Sequence, residues 1–125
     1  MSGVEELAGY RIEQATIKDV PTALELRVRM NRDTGVHPDA LVNDVAAELD
    51  TFYHEAYTEG EMVHFFAYDA NGAPVASAGA LLKRDFPYRF FKPGYYGWII
   101  DVYTEPRHRG RGLAALLGSR GQKWL

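Results

Sequence analysis

The sequence contains no cysteine, which excludes disulfides and thiolate metal sites. Its four histidines, His37, His54, His64 and His108, have no paired metal spacing, so no metal is expected. Fourteen basic residues face seventeen acidic ones, for a formal net charge of -3. No global positive field therefore draws the chain to nucleic acid or to anionic lipid, and any polyanion site has to be local. No run approaches the roughly 20 apolar residues that a membrane helix needs. Met1–Glu6 has neither a basic start nor the apolar stretch of a signal peptide. The expectation is a soluble, cytoplasmic protein without nucleic-acid or membrane partners.

What is present is the balance of a folded chain. Hydrophobic residues are 46% and charged residues 25%, enough for one core in one domain. Residues 1–8 read as a flexible tail and 9–125 as the domain. Tyr10–Ala15 alternates as a strand. Thr16 and Asp19 form a helix-start pair, with Pro21 tolerated in the first turn, and the helix is expected to reach about Arg32 with Val20, Leu24 and Val28 on one face. Leu41, Val45, Leu49, Phe52, Tyr53 and Ala56 recur at three- and four-residue steps, a second helix that stops at Gly60. Met62–Tyr68 and Pro74–Leu82 read as strands joined through Asn71-Gly72, a tight antiparallel hairpin. Arg84–Gly94, with Pro87 and Pro93, reads as a loop. Tyr95–Thr104 is the strongest strand signal, and Leu113, Leu116, Leu117, Arg120 and Trp124 follow helical spacing. The order is β-α-α-β-β-β-α, an α/β (α+β) chain.

Arg109-Gly110-Arg111-Gly112-Leu113-Ala114 lies between the strongest strand and the last helix. The first amides of a helix have no internal partner, and the helix dipole adds roughly half a positive charge there. Glycines let a phosphate approach the main chain, and the arginines stay charged. The ligand implied is a pyrophosphate-bearing cofactor. The pattern lacks the Gly-Lys-Ser/Thr ending of a Walker loop and the third glycine of the dinucleotide fingerprint. As an alternative, Arg107–Gly112 is a solvated basic turn or an RNA-contacting element, although such elements usually come repeated in disordered tracts.

The stretch Ile100-Asp101-Val102-Tyr103-Thr104-Glu105-Pro106-Arg107-His108-Arg109-Gly110-Arg111-Gly112-Leu113-Ala114 resembles the signature of the GNAT superfamily of N-acetyltransferases. Arg109, Gly112 and Ala114 match its Arg/Gln-x-x-Gly-x-Gly/Ala pattern, and the element order matches its N-terminal and central part from Tyr10 onward. The resemblance implies a GNAT-like mixed sheet and acetyl-CoA as co-substrate. It implies a pyrophosphate on the amides of Gly110, Arg111, Gly112, Leu113, Ala114 and Ala115, and a pantetheine arm paired with the backbone of Val102, Tyr103 and Thr104. Family members normally continue with another parallel strand, a helix and a closing hairpin, and Leu125 ends on an apolar stripe without a stop signal. A chain cut short of those C-terminal elements is the expectation. Its last strand would then be an edge through which a homodimer could form.

The activity implied is N-acetyl transfer to an amine of a small molecule or peptide by direct attack. A lysine-like amine with a pKa near 10.4 is mostly protonated at pH 7, so a base or a water chain has to help. Asp101 is the first candidate, Glu105 and His64 weaker ones. Strand alternation sets Asp101 and Tyr103 on one face and Ile100 and Val102 on the other. Asp101 reads equally as a partner for an arginine or helix start and as a carboxylate at the amine pocket. In the second role burial would have to raise its pKa. A strand amide near Tyr103 is the candidate for stabilising the oxyanion. Loops 31–39 and 84–94, with Tyr88, Phe90 and Phe91, are expected to line the acceptor pocket. A non-catalytic acyl-CoA-binding or assembly module, or a nucleic-acid-binding module, would use the same loop without turnover.

Overall fold

The computed structural model describes residues 5–7, 9–35, 45–84 and 95–125. Five strands run β1 Glu5–Leu7, β2 Tyr10–Gln14, β3 Met62–Tyr68, β4 Pro74–Arg84 and β5 Tyr95–Thr104. They form one sheet in the order β1-β2-β3-β4-β5, each pair antiparallel. Helices α1 Val20–Asp33 and α2 Val45–Thr58 lie between β2 and β3 in sequence, and α3 Leu113–Trp124 follows β5. The expected order of elements is present. The expected tail is not a tail throughout, because Glu5–Leu7 pairs with Tyr10–Ile12 through a turn in which Gly9 has φ +89°.

Local chemistry accounts for most boundaries. The Thr16 and Asp19 side chains cap each other's backbone in a short 3-10 turn that leads into α1, and Pro21 sits in the first turn of α1. The β3–β4 turn is closed by Asp69, whose carboxylate accepts the amides of Asn71 and Ala73, each at 2.9 Å. Only Gly72 of the Asn-Gly pair takes a positive φ, +81°.

The sheet is covered on both sides. Val63, Phe65 and Ala67 of β3 and Ala76, Ala78 and Ala80 of β4 meet Leu113 and Leu117 of α3. Small residues bring that helix close: a Cβ on Gly121 would lie 3.1 Å from Ile99 and 3.6 Å from Ala80. On the other face Met62, Phe66, Leu81 and Tyr103 pack with Val20, Ala23 and Leu26 of α1 and Tyr53 and Ala56 of α2. Val28 is exposed, contrary to the expected stripe. Steps of four overshoot the helical turn by about 40° each, so residue 28 has rotated off the face that Val20, Ala23 and Leu26 bury. Phe52 likewise points outward from α2.

β5 departs from simple alternation. Gly79 pairs with Ile100 and Ser77 with Tyr103, so Asp101 and Val102 together oppose Ala78. This is a β-bulge, and Asp101 occupies it at φ +54°. Ile100 consequently packs in the same cluster as Tyr103, which corrects the expected facing of these residues. An extra residue in one strand shifts the pleat by one.

Candidate functional site

Three features converge on β5. The first is a cleft of about 420 Å³ where β5 meets the start of α3. Nine of the ten expected cofactor residues line it: Val102, Tyr103, Thr104, Arg109, Gly110, Gly112, Leu113, Ala114 and Ala115. Arg111 does not; it donates to the Tyr10 hydroxyl at 3.0 Å, which also bonds His108 Nδ1 at 2.7 Å. Met30, Asp33, Thr34 and His108 complete the lining.

The loop is built for close approach. Gly110 and Gly112 have φ +77° and +81°, and a Cβ on either would meet no protein atom within 4 Å. Gly112 is the N-cap of α3, and the amide of Leu116 is bonded to its carbonyl. The amides of Leu113, Ala114 and Ala115 are therefore the unpaired first donors of the helix. Arg109 holds the loop against the strand end, donating from Nε to the Thr104 carbonyl at 2.8 Å and from Nη2 to Asp33 at 3.3 Å. Asp33 also accepts the Tyr103 hydroxyl at 2.8 Å. Burial first, and then this bond, push the Tyr103 pKa up to about 12.

The second feature is a buried network around the bulge. One Asp101 carboxylate oxygen takes the Arg27 guanidinium. The other takes the Tyr53 hydroxyl and, at 2.8 Å, His64 Nε2. The second ring nitrogen of His64 meets the Tyr57 hydroxyl at 2.9 Å, and Ser77 donates to the Asp101 carbonyl at 2.8 Å. α1, α2, β3 and β4 thus each contribute a side chain. Burial works to raise the Asp101 pKa, but the His64, Tyr53 and Arg27 interactions outweigh it and hold the carboxyl below its ordinary value.

Asp101 therefore lacks the raised pKa that the base assignment required. His64 is fully buried between Asp101 and Tyr57, stacked near Tyr53 and Phe66. Glu105 is paired with Arg29. The sequence offered no pointer to Arg27 and Tyr53 as partners, because they lie 74 and 48 positions from Asp101 and meet it only through packing.

Gly79 makes room for this network. A Cβ there would stand 2.8 Å from the His64 ring and 3.0 Å from Ile100. We expect Gly79→Ala to push His64 off Asp101 and to cost about 1–3 kcal/mol, the usual range for overpacking. Chemical denaturation would measure this. A variant as stable as the parent would mean the ring has another place to go.

The third feature is a smaller cleft of about 300 Å³ on the α1/α2 side of β5, bordered by Phe52, Leu81, Lys83, Tyr96, Trp98 and Ile100. Arg27 and Tyr53 of the network reach its wall. Residues 36–39 of one expected acceptor loop, and Tyr88, Phe90 and Phe91 of the other, lie outside the described residues. His37 does too. His54 bonds the Asp50 carbonyl on the surface of α2. No group of His, Asp and Glu suited to a metal occurs among the described residues. No described helix is long and apolar enough to cross a membrane.

Among the described residues, β5 pairs only with β4 and a glycine-lined cleft opens where it meets α3; the family of such a chain is given by its likeness to known proteins. The acetyltransferase (GNAT) family model matches residues 24–125, and the chain belongs to that family. A predicted acetyltransferase with acetyl-CoA from Clostridium acetobutylicum superposes with a TM-score of 0.79 at 28% identity, over 91% of this chain and 71% of that one. A GCN5-related N-acetyltransferase from Ralstonia eutropha JMP134 gives a TM-score of 0.71 at 23% identity, over 92% and 74%. An aminoglycoside 6'-N-acetyltransferase from Acinetobacter baumannii gives 0.64 at 16%, over 93% and 71%, a likeness of fold. No curated protein sequence matches the chain.

Proposed function

We propose that this protein transfers an acetyl group from acetyl-CoA to an amine by direct attack. The observation that carries the reading is the continuity of one cleft, from the free amides at the start of α3 to the β5 edge at Val102–Thr104. A pyrophosphate fits the helix end, where unpaired amides and the dipole favour an anion and the loop glycines leave space. An extended pantetheine arm fits the strand edge, whose outward main-chain groups can bond it as an added strand. Acetyl-CoA supplies the activated acetyl thioester. The amine nitrogen bonds the acetyl carbon, the carbon–sulfur bond breaks, and the proton shed by the nitrogen passes to solvent or to the thiolate.

Within this reading the side chains of the bulge position the reacting groups. Asp101 is a positioning residue: its carboxylate ties the kink of β5 to Arg27, Tyr53 and His64. Proton removal falls to water or to an amine that arrives neutral. An amide of β5 near Tyr103 is the candidate oxyanion donor. A cytoplasmic site of action is part of the proposal.

A second reading, an acyl-CoA-binding module without turnover, draws support from one observation. Asp101, His64 and Glu105 are all engaged by other side chains. Association through the β5 edge is a further proposal, tested by light scattering at high protein concentration.

Calorimetric titration with acetyl-CoA, with ATP and a short oligonucleotide as controls, tests the main reading. Micromolar binding selective for acetyl-CoA is expected, followed by thiol release when an acceptor amine is added. Equal binding of ATP, or no binding by folded protein, overturns it. Binding without thiol release across an amine panel leaves the second reading.

A further inference from the structure

We propose that the cleft on the α1/α2 side of β5 selects an amine with a planar apolar body and a carboxylate, namely an aromatic α-amino acid, and rejects polycations. This rests on the acetyltransferase reading above and specifies its acceptor.

The walls argue for the apolar body. Phe52, Tyr96 and Trp98 are 42%, 42% and 55% exposed, and all three border this one cleft. Single exposed aromatics are ordinary, but three around one concavity mark a surface that gains by being covered. The Tyr96 and Trp98 rings lie 6.2 Å apart at a tilt, and Leu81 and Ile100 form apolar floor beside them. A volume of about 300 Å³ is at the small end for ligand pockets. It suits one aromatic amino acid better than an oligosaccharide.

The charges argue for the carboxylate. The described charged residues of the lining are Arg27 and Lys83, both cations. Lys83 Nζ stands 6.0 Å over the Phe52 ring, at the edge of the aromatic wall. Asp101, which bonds Arg27 and Tyr53 of the lining, is almost wholly buried and is also bonded to His64. A neighbouring depression carries Glu55, Glu59 and Glu61 and shares Phe52, Leu81 and Lys83 with the cleft, but it touches no residue of β5, where the amine would sit. A polyamine or aminoglycoside that seats its amine beside the bulge would meet Lys83 and the Arg27–Asp101 pair, whose charges offset each other. An amino acid would offer its ring to Trp98, its carboxylate to Lys83 and its amine toward the Ile100–Asp101 kink. An α-amine is also less basic than a lysine-type amine, which suits a site whose carboxylates and imidazole are engaged.

The test is direct binding of L-phenylalanine, phenethylamine and spermidine to the CoA-loaded protein by calorimetry, with acetyl-CoA affinity measured in parallel. An exposed ion pair is worth about 0.2–1 kcal/mol, so L-phenylalanine should bind about 1.4- to fivefold more tightly than phenethylamine. Lys83→Glu should remove or invert that ratio and leave acetyl-CoA binding unchanged. Trp98→Ala should weaken both aromatic amines alike, by up to about tenfold. Tighter binding of spermidine than of L-phenylalanine overturns the proposal. So does a ratio that survives Lys83→Glu, or acetyl-CoA binding without any binding of the aromatic amines. Binding of L-phenylalanine to protein that fails to bind acetyl-CoA would instead sink the acetyltransferase reading and leave the pocket assignment standing.

Discussion

Replacing Asp101 by alanine is expected to cost about 3–5 kcal/mol of folding stability, a large part of the roughly 5–15 kcal/mol that holds a domain together. Two losses combine. The Arg27 guanidinium, the Tyr53 hydroxyl and His64 lose a shared acceptor that is itself almost wholly buried. Alanine must also hold φ +54°, a region that costs most L-residues about 1–2 kcal/mol and is easier for Asp and Asn. Asp101→Gly relieves the backbone part alone, so the gap between the Ala and Gly variants should be about 1 kcal/mol. Asp101→Asn keeps shape and backbone preference and should cost about 1–3 kcal/mol. Urea denaturation of the three variants separates these contributions. If all three lose the same amount, the charge dominates and the kink is unstrained.

The same carboxylate sets an acid limit. Its folded pKa lies below the ordinary value of 3.8. The unfolded chain therefore binds the proton first, and the stabilisation is complete above about pH 4. It is lost as pH falls from 3.8 through the lowered folded value. Stability measured across that window should fall in the parent, and this part of the fall should vanish in Asp101→Asn.

The second large effect concerns the proposed acetyl-CoA cradle at the start of α3. Gly112→Ala should weaken acetyl-CoA binding at least tenfold while costing only about 1–2 kcal/mol of stability from its left-handed φ. A Cβ at that position meets no protein atom within 4 Å, so the protein itself has room for it. The added group would occupy space beside the helix amides that a phosphate needs. Unchanged affinity for acetyl-CoA in a folded Gly112→Ala protein would mean that the anion does not sit there.

Local signals were legible in the sequence. Thr16 and Asp19 as a cap, the Asp69–Ala73 turn and the glycines flanking Arg111 carry their geometry in residue type and spacing, because each depends on near neighbours. The cleft at the start of α3 was legible in part for the same reason: one wall is a strand end and the following helix start, whereas Met30, Asp33 and Thr34 reach it only through packing. Three features were not. β1 is three residues long and makes sense only beside β2. The helix stripe of α1 rotates away from simple four-residue steps. The bulge depends on partners from α1, α2 and β3, and alternation gives no warning of an inserted residue. Asp101 itself was the single clue, an acidic residue amid Trp98-Ile99-Ile100 and Val102, and both of its candidate roles were open until Arg27, Tyr53 and His64 were seen around it.

The bulge has a consequence for how copies of this chain meet. β5 lies at the end of the sheet order, and among the described residues it pairs only with β4. A straight strand of ten residues in that place would be a template on which another chain could add in continuous register. The kink at Asp101 divides it into two short segments whose outward groups fall out of step, so an intruding strand can match one segment or the other but not both. Association through this edge, as proposed above, would therefore engage one segment of the strand at a time.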